Sequence, residues 1–192
     1  MLFHDYITLL LANMTAGLWV LAAFLLFRGA GECRKAWAAA LGMPGAVAFV
    51  VGLGVVFTWP IPRLEKMNLM WANCAYGEMS VLLGVLFLGA AWAVAKGWKL
   101  WPLGIYSAVA GAAAIVVGAA IWKLWLSAAP LLTAVGFFLS GASGVLIGPA
   151  LTERRWRWPF AVVVALLLVA AGVIWAVTAG LGYWAHMERF SR

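Results

Sequence analysis

Charged residues in this chain are spaced so widely that they leave six apolar runs, and that spacing dictates a membrane solvent. Asp5 to Arg28 encloses 22 uncharged residues, Lys35 to Arg63 encloses 27, and Lys99 to Lys123 encloses 23. Lys123 to Glu153 encloses 29 and Arg157 to Glu188 encloses 30. About 20 apolar residues suffice for one helical crossing of a bilayer. The sixth run, from Lys66 to Lys96, has a single interruption, and it is Glu78. A carboxylate at membrane depth costs roughly 2.5–3.5 kcal/mol on insertion scales, which makes Glu78 the first candidate for a functional group.

Composition agrees with the spacing. Of 192 residues, 67% are hydrophobic and 10% charged, more apolar surface than a soluble domain of this size can bury. The expected fold is an all-α integral membrane bundle of six helices, with residues 1–192 forming one polytopic domain. The spans read as Ile7–Phe27, Leu41–Trp59, Met70–Ala95, Leu100–Leu126, Ala128–Leu151 and Trp158–Ala185. Asp5 precedes the first run, which lacks the basic start of a secretory signal. Pro44, Pro102, Pro130 and Pro159 fall in the first turn or so of a span, where a missing amide costs least. Trp59–Pro60–Ile61–Pro62 ends the second span. Pro149 is expected to end or kink the fifth.

The net charge of +7 comes from basic residues at helix ends, a pattern for lipid headgroups rather than nucleic acid. Counted by alternate loops, the segments around Arg28–Lys35, Lys96–Lys99 and Arg154–Arg157 carry eight Lys and Arg against five on the other side. The positive-inside rule then predicts both termini on the outer, non-cytoplasmic side of a prokaryotic plasma membrane. Cys33 and Cys74 fall on opposite sides of the bilayer in this topology and are not expected to form a disulfide. Most of the 13 tryptophans sit near span ends, as interfacial anchors do. Trp19 and Trp175 lie well inside spans one and six. Small residues recur every fourth position, as in Gly136, Ser140, Gly144 and Gly148, marking faces where helix backbones approach closely.

Glu78 shares its leaflet with several polar groups. Asn13, Asn73, Thr133, Thr178 and Lys123 all fall in the outer half. A pore-lining or solute-binding set of Glu78, Asn13, Asn73, Trp19, Trp175 and Thr178 is therefore expected near the outer mouth. The competing reading makes Glu78 a satisfied structural carboxyl, protonated or in an ion pair with Lys123. The only histidines, His4 and His186, belong at the outer surface, where bis-histidine haem ligation is disfavoured against solvated side chains. No nucleophile–base set, zinc spacing or nucleotide loop is present, so neither an enzyme nor a cofactor or metal site is expected.

Two resemblances follow from short motifs. Phe57–Thr58–Trp59–Pro60–Ile61–Pro62, Asn73 and Tyr76–Gly77–Glu78 resemble a family of uncharacterised prokaryotic membrane proteins over most of the chain. Asn13–Met14–Thr15–Ala16–Gly17–Leu18, Tyr76–Gly77, Leu82–Leu83 and Gly97–Trp98–Lys99–Leu100–Trp101–Pro102 with Tyr106 are similar to stretches of the AmiS/UreI urea and amide channels. That likeness implies a six-helix passive channel or transporter for a small, mostly neutral polar solute, assembled as a homo-oligomer. The chain departs from it at Glu78, where the channels have a non-acidic residue, and in lacking their His-rich outer loop. Both departures bear on urea selectivity. The alternative expectation is a structural or accessory subunit of a larger membrane complex, respiratory for example, with partner membrane subunits packed on its glycine ridges.

Overall fold

A computed structural model describes residues 6–27, 33–58, 71–153, 155 and 157–190, with 189 and 190 described by their backbone alone. Those residues contain six long helices: α1 (Tyr6–Phe27), α2 (Arg34–Thr58), α3 (Asn73–Lys96), α4 (Leu103–Leu124), α5 (Pro130–Ala150) and α6 (Arg157–Phe190). Each is long and apolar enough to cross a membrane.

The charge pattern located the six long helices well and their ends less well. α2 begins at Arg34, well before the Leu41 expected, and α6 runs past Ala185 to Phe190. A helix does not stop where the bilayer does, because its hydrogen bonds are satisfied within the segment on either side. Consequently Pro44 lies inside α2 rather than in its first turn. Its ring deprives the Ala40 carbonyl of a helical donor. α4 and α5 start slightly later than expected, with Pro102 as the cap before α4 and Pro130 at the start of α5. Pro149 sits in the last turn of α5, which ends at Ala150 as the sequence suggests. Trp59–Pro60–Ile61–Pro62 and Met70 lie outside the described residues.

The first six residues of α3, Asn73–Glu78, form a π-helical segment, and Met79–Lys96 continue as α-helix. At the other end of α3, Gly97 takes a left-handed conformation (φ 69°) and accepts no side chain without strain. Its amide caps the Val94 carbonyl.

Neighbours pair antiparallel. α2 and α3 meet at Gly45–Leu88, Phe49–Gly84 and Gly52–Val81. α4 and α5 meet at Gly104–Gly148, Ser107–Gly144 and Gly111–Gly141. α1 and α6 meet at Thr8–Gly182, Thr15–Gly172 and Trp19–Val169. The backbones of α4 and α5 approach as closely as those of α2 and α3, where an added Cβ on Gly84 would sit 2.5 Å from the Phe49 amide nitrogen. An added Cβ on Gly111 would sit 2.5 Å from the Gly141 carbonyl oxygen. Glycine is required there because the opposing atoms are backbone and cannot rotate away.

These three pairs are joined in chain order. α1 packs on α2, α2 on α3, α3 on α4, α4 on α5, α5 on α6, and α6 returns to α1. The result is a closed six-helix ring. Its loosest junction is α3 with α4. The described ends place Tyr6, Thr58, Asn73, Leu124, Pro130 and Phe190 at one end, called here the termini end.

Candidate functional site

A cavity of about 130 Å³ lies along the axis of the ring, lined from all six helices. Met14 and Leu18 come from α1, Leu41 from α2, Met79 and Leu86 from α3, Ala110 and Ala114 from α4, Ser140 and Ile147 from α5, and Leu168 and Trp175 from α6. Placement follows from helix periodicity. Met79, Leu83, Leu86 and Ala90 recur at three- and four-residue steps, so one stripe of α3 faces the axis. On α3 the pair-contact residues Val81, Gly84 and Leu88 lie off that stripe, whereas on α2 the lining residue Leu41 shares a face with Gly45 and Gly52.

The lining is almost wholly apolar. Its polar side chains are Ser107, Ser140, Ser143 and Trp175. Trp175 is completely buried, and its indole N–H donates to Ser140 Oγ at 3.1 Å. Ser143 donates to the Leu139 carbonyl at 2.7 Å, a bond within its own helix. Gly136 makes room for the Trp175 ring, whose atoms lie 2.7 Å from where a Cβ would stand.

Toward the termini end the cavity is stopped by aromatic rings. Phe137 packs edge-on against Trp175 at 5.2 Å, Tyr76 lies 6.0 Å from Phe137, and Trp71 lies 5.9 Å from Tyr76. Tyr76 is carried on the π-helical segment and is buried, with Thr133 beside its hydroxyl. Thr133 in turn shares a hydrogen bond of 2.9 Å with Ser127. Rings packed in this way exchange favourable edge and face contacts and fill the axis without leaving a polar group bare.

Of the six pore-lining candidates named from the sequence, Trp175 alone lines this cavity. Four of the others are spent on the scaffold. Asn13 Nδ2 donates across to the Pro44 carbonyl of α2 at 2.9 Å. Asn73 Nδ2 donates to the Val56 carbonyl at 3.4 Å, tying the π-helical segment to α2. Trp19 lies on the outside of the ring and its indole N–H donates to the Val169 carbonyl at 3.4 Å. Thr178 donates to the Ile174 carbonyl one turn back at 2.8 Å. In an apolar solvent each such group must find a partner, and interhelical or local carbonyls are the nearest ones.

Glu78 departs furthest from expectation. It is exposed on the outer surface of α3, and its one partner among the described residues is Cys74, whose thiol donates to Glu78 Oε1 at 3.5 Å. Lys123 is exposed on the outer surface of α4, and no ion pair joins it to Glu78 among the described residues. An ion pair between them was one branch of the competing structural reading of Glu78, and both do sit near the termini end. Each points away from the ring. Cys33 and Cys74 are free thiols. His186 is half-buried on α6, whereas His4 lies outside the described residues. No cluster of metal-ligating side chains is present among the described residues.

The serines and the aromatic stop were not singled out as a site by sequence reasoning. Ser140 was read as a packing residue within the α5 ridge, which it also is. The signal that existed was Trp175 deep in an apolar span, because a buried indole N–H needs an acceptor.

Residues 1–189 match the model of a family described as "Protein of unknown function (DUF981)", and the chain belongs to that family. No curated protein matches, no solved structure matches, and nothing found links the chain to the AmiS/UreI channels.

Proposed function

We propose that this member of the family is a membrane channel or transporter for a small, uncharged solute, with the path along the axis of the helix ring. The observation that carries this reading is the central cavity bounded by all six helices. A bundle built only for packing gains from filling its axis, since each void forfeits dispersion contacts. A space near 130 Å³ is close to the size of an engineered cavity of about 150 Å³ that holds benzene. Its polar groups are three serine hydroxyls and one indole N–H, which replace few of a solute's hydrogen bonds to water. An ion entering such a lining would shed its hydration at a cost these groups do not repay. The suited solute is therefore small and neutral, with one or two polar atoms, as amides are. The aromatic stop at Phe137 and Tyr76 is the barrier that must move for passage, so the state described is closed at the termini end. By the positive-inside rule that end faces outward across a prokaryotic plasma membrane.

Flux into proteoliposomes tests the reading. Wild-type protein is expected to speed entry of urea, acetamide or glycerol above empty vesicles, and Leu86→Trp, which fills the axis, is expected to abolish the difference. Background-level flux of the whole panel with correctly folded wild-type protein would defeat it.

A second reading, an accessory subunit of a larger membrane complex, draws on one observation. Glu78 presents a carboxylate to the outside of the ring, where another protein could receive it. Gentle purification distinguishes the two: stoichiometric companions of different sequence favour the subunit, whereas an active chain purified alone favours the channel.

A further inference from the structure

We propose that two copies of this chain pair in the membrane through the outer faces of α3 and α4, with Glu78 of each copy meeting Lys123 of the other. Glu78 is exposed at the centre of the outward face of α3, in register with Cys74 and Val85. At about 1.5 Å per residue it lies roughly 7 Å along α3 from Asn73, inside the apolar slab rather than at its edge. Intramembrane carboxylates face a bundle interior or pair with an opposite charge. Among the described residues of one copy Glu78 does neither, since its one partner is a thiol, a weak donor, and no described cation pairs with it.

The complementary charge is one helix away. Lys123 occupies the centre of the outward face of α4, in line with Val109 and Val116. It lies in the last turn of its helix, so its Cα is shallower than that of Glu78. Side-chain direction closes that difference. Helical side chains lean toward the N-terminus of their own helix, and α3 and α4 run in opposite directions. Lys123 therefore leans inward along α4, while Glu78 leans outward along α3. The two heads converge on one depth.

Adjacency selects the symmetry. Because α3 and α4 are neighbours in the ring, a two-fold axis along the membrane normal, in front of their junction, sets α3 of one copy against α4 of the other. Such an interface is isologous: if Glu78 meets Lys123, Lys123 meets Glu78, and two pairs form at once. The same contact covers the loosest junction of the ring. There Leu86 and Ala110, which line the axial cavity, remain partly exposed on a single copy. The second copy would seal the lateral side of the cavity, so the site is incomplete without it. The inference stands on the exposed charges and does not depend on what passes along the axis.

The test counts copies of the full chain in lipid nanodiscs by mass photometry, at several lipid-to-protein ratios. Wild type is expected as two copies. Glu78→Gln and Lys123→Gln are each expected to weaken pairing by about tenfold or more, the factor set by losing about 1.4 kcal/mol of interaction. The exchange variant Glu78→Lys with Lys123→Glu is expected to restore two copies, which separates a charge pair from a folding defect. In a second arm, Cys33 and Cys74 are replaced by Ser. Differently tagged copies carrying Glu78→Cys and Lys123→Cys are then expected to form a disulfide joining the two tags. A wild-type chain that stays single overturns the proposal. So does an exchange variant that pairs no better than the single variants, or a Glu78 held instead by a lipid amine in native mass spectra.

Discussion

One crossing point, between Gly104 of α4 and Gly148 of α5, carries an unusually sharp prediction because its two sides are not equivalent. A methyl group on Gly104 would stand 2.6 Å from the Gly148 Cα, whereas one on Gly148 would stand 4.0 Å from the Gly104 Cα. Carbon atoms pack comfortably at about 3.5–4.0 Å, so Gly104→Ala forces the helices apart by roughly 1 Å while Gly148→Ala makes an ordinary contact. Neither side chain nor rotamer change can relieve the first clash, because the opposing atom is backbone. Overpacking of this kind costs about 1–3 kcal/mol. Exchanging glycine for alanine in a helix returns up to about 1 kcal/mol of conformational entropy. The expected outcome is that Gly104→Ala is destabilised by about 1–2 kcal/mol and Gly148→Ala is neutral or stabilised by up to about 1 kcal/mol. Equilibrium unfolding in mixed detergent micelles, titrated with dodecyl sulfate and followed by tryptophan fluorescence, measures both against wild type. Equal stability of the two variants, or the reverse order, would refute the claim that direct backbone approach at Gly104 holds α4 to α5.

Two further outcomes concern the axis. Ser140→Ala is expected to leave the Trp175 indole N–H without its acceptor in a buried site, costing about 1–3 kcal/mol in the same unfolding assay, whereas Ser140→Thr keeps the oxygen and should cost less. Tyr76→Ala is expected to lower stability by about 3–5 kcal/mol as a large-to-small core change, yet raise vesicle flux by opening the aromatic stop; reduced flux in folded protein would deny Tyr76 that role.

The six long apolar helices were legible in the sequence because lipid imposes one strong rule, that no charge be left in the slab, and the charge spacing is what that rule would leave. Helix ends were less legible. Arg34 and Lys35 mark where α2 leaves the apolar phase, but they are good helix formers and the helix includes them. The π-helical segment at Asn73–Glu78 left no trace in the residue pattern. Gly77 fits under Val55 and Asn73 reaches the Val56 carbonyl there, contacts made with the preceding helix, α2, and so beyond the local sequence. Glycine spacing correctly marked close-packed faces, although it could not say which glycines oppose backbone and which oppose open space. Gly54 illustrates the second kind, with nothing within 4 Å of its added Cβ.

Most of the residues named from the sequence stand away from the axial cavity for a physical reason that bears on any apolar membrane bundle. In water, polar residues inside an apolar segment point to function because they could have been solvated elsewhere. In lipid they are also needed as fasteners, and Asn13, Asn73, Trp19 and Thr178 are each used that way. A lumen for a neutral solute needs few strong hydrogen-bonding groups, so its residues resemble the rest of the apolar chain. Leu86 and Ala114 look no different in sequence from residues that face lipid, and only the register of each helix in the ring separates them. Glu78 remains the exception because no fastener requires a full charge. Its position outside the ring therefore argues for a surface that meets another charged surface, and the depth it shares with Lys123 makes a second copy the partner to seek.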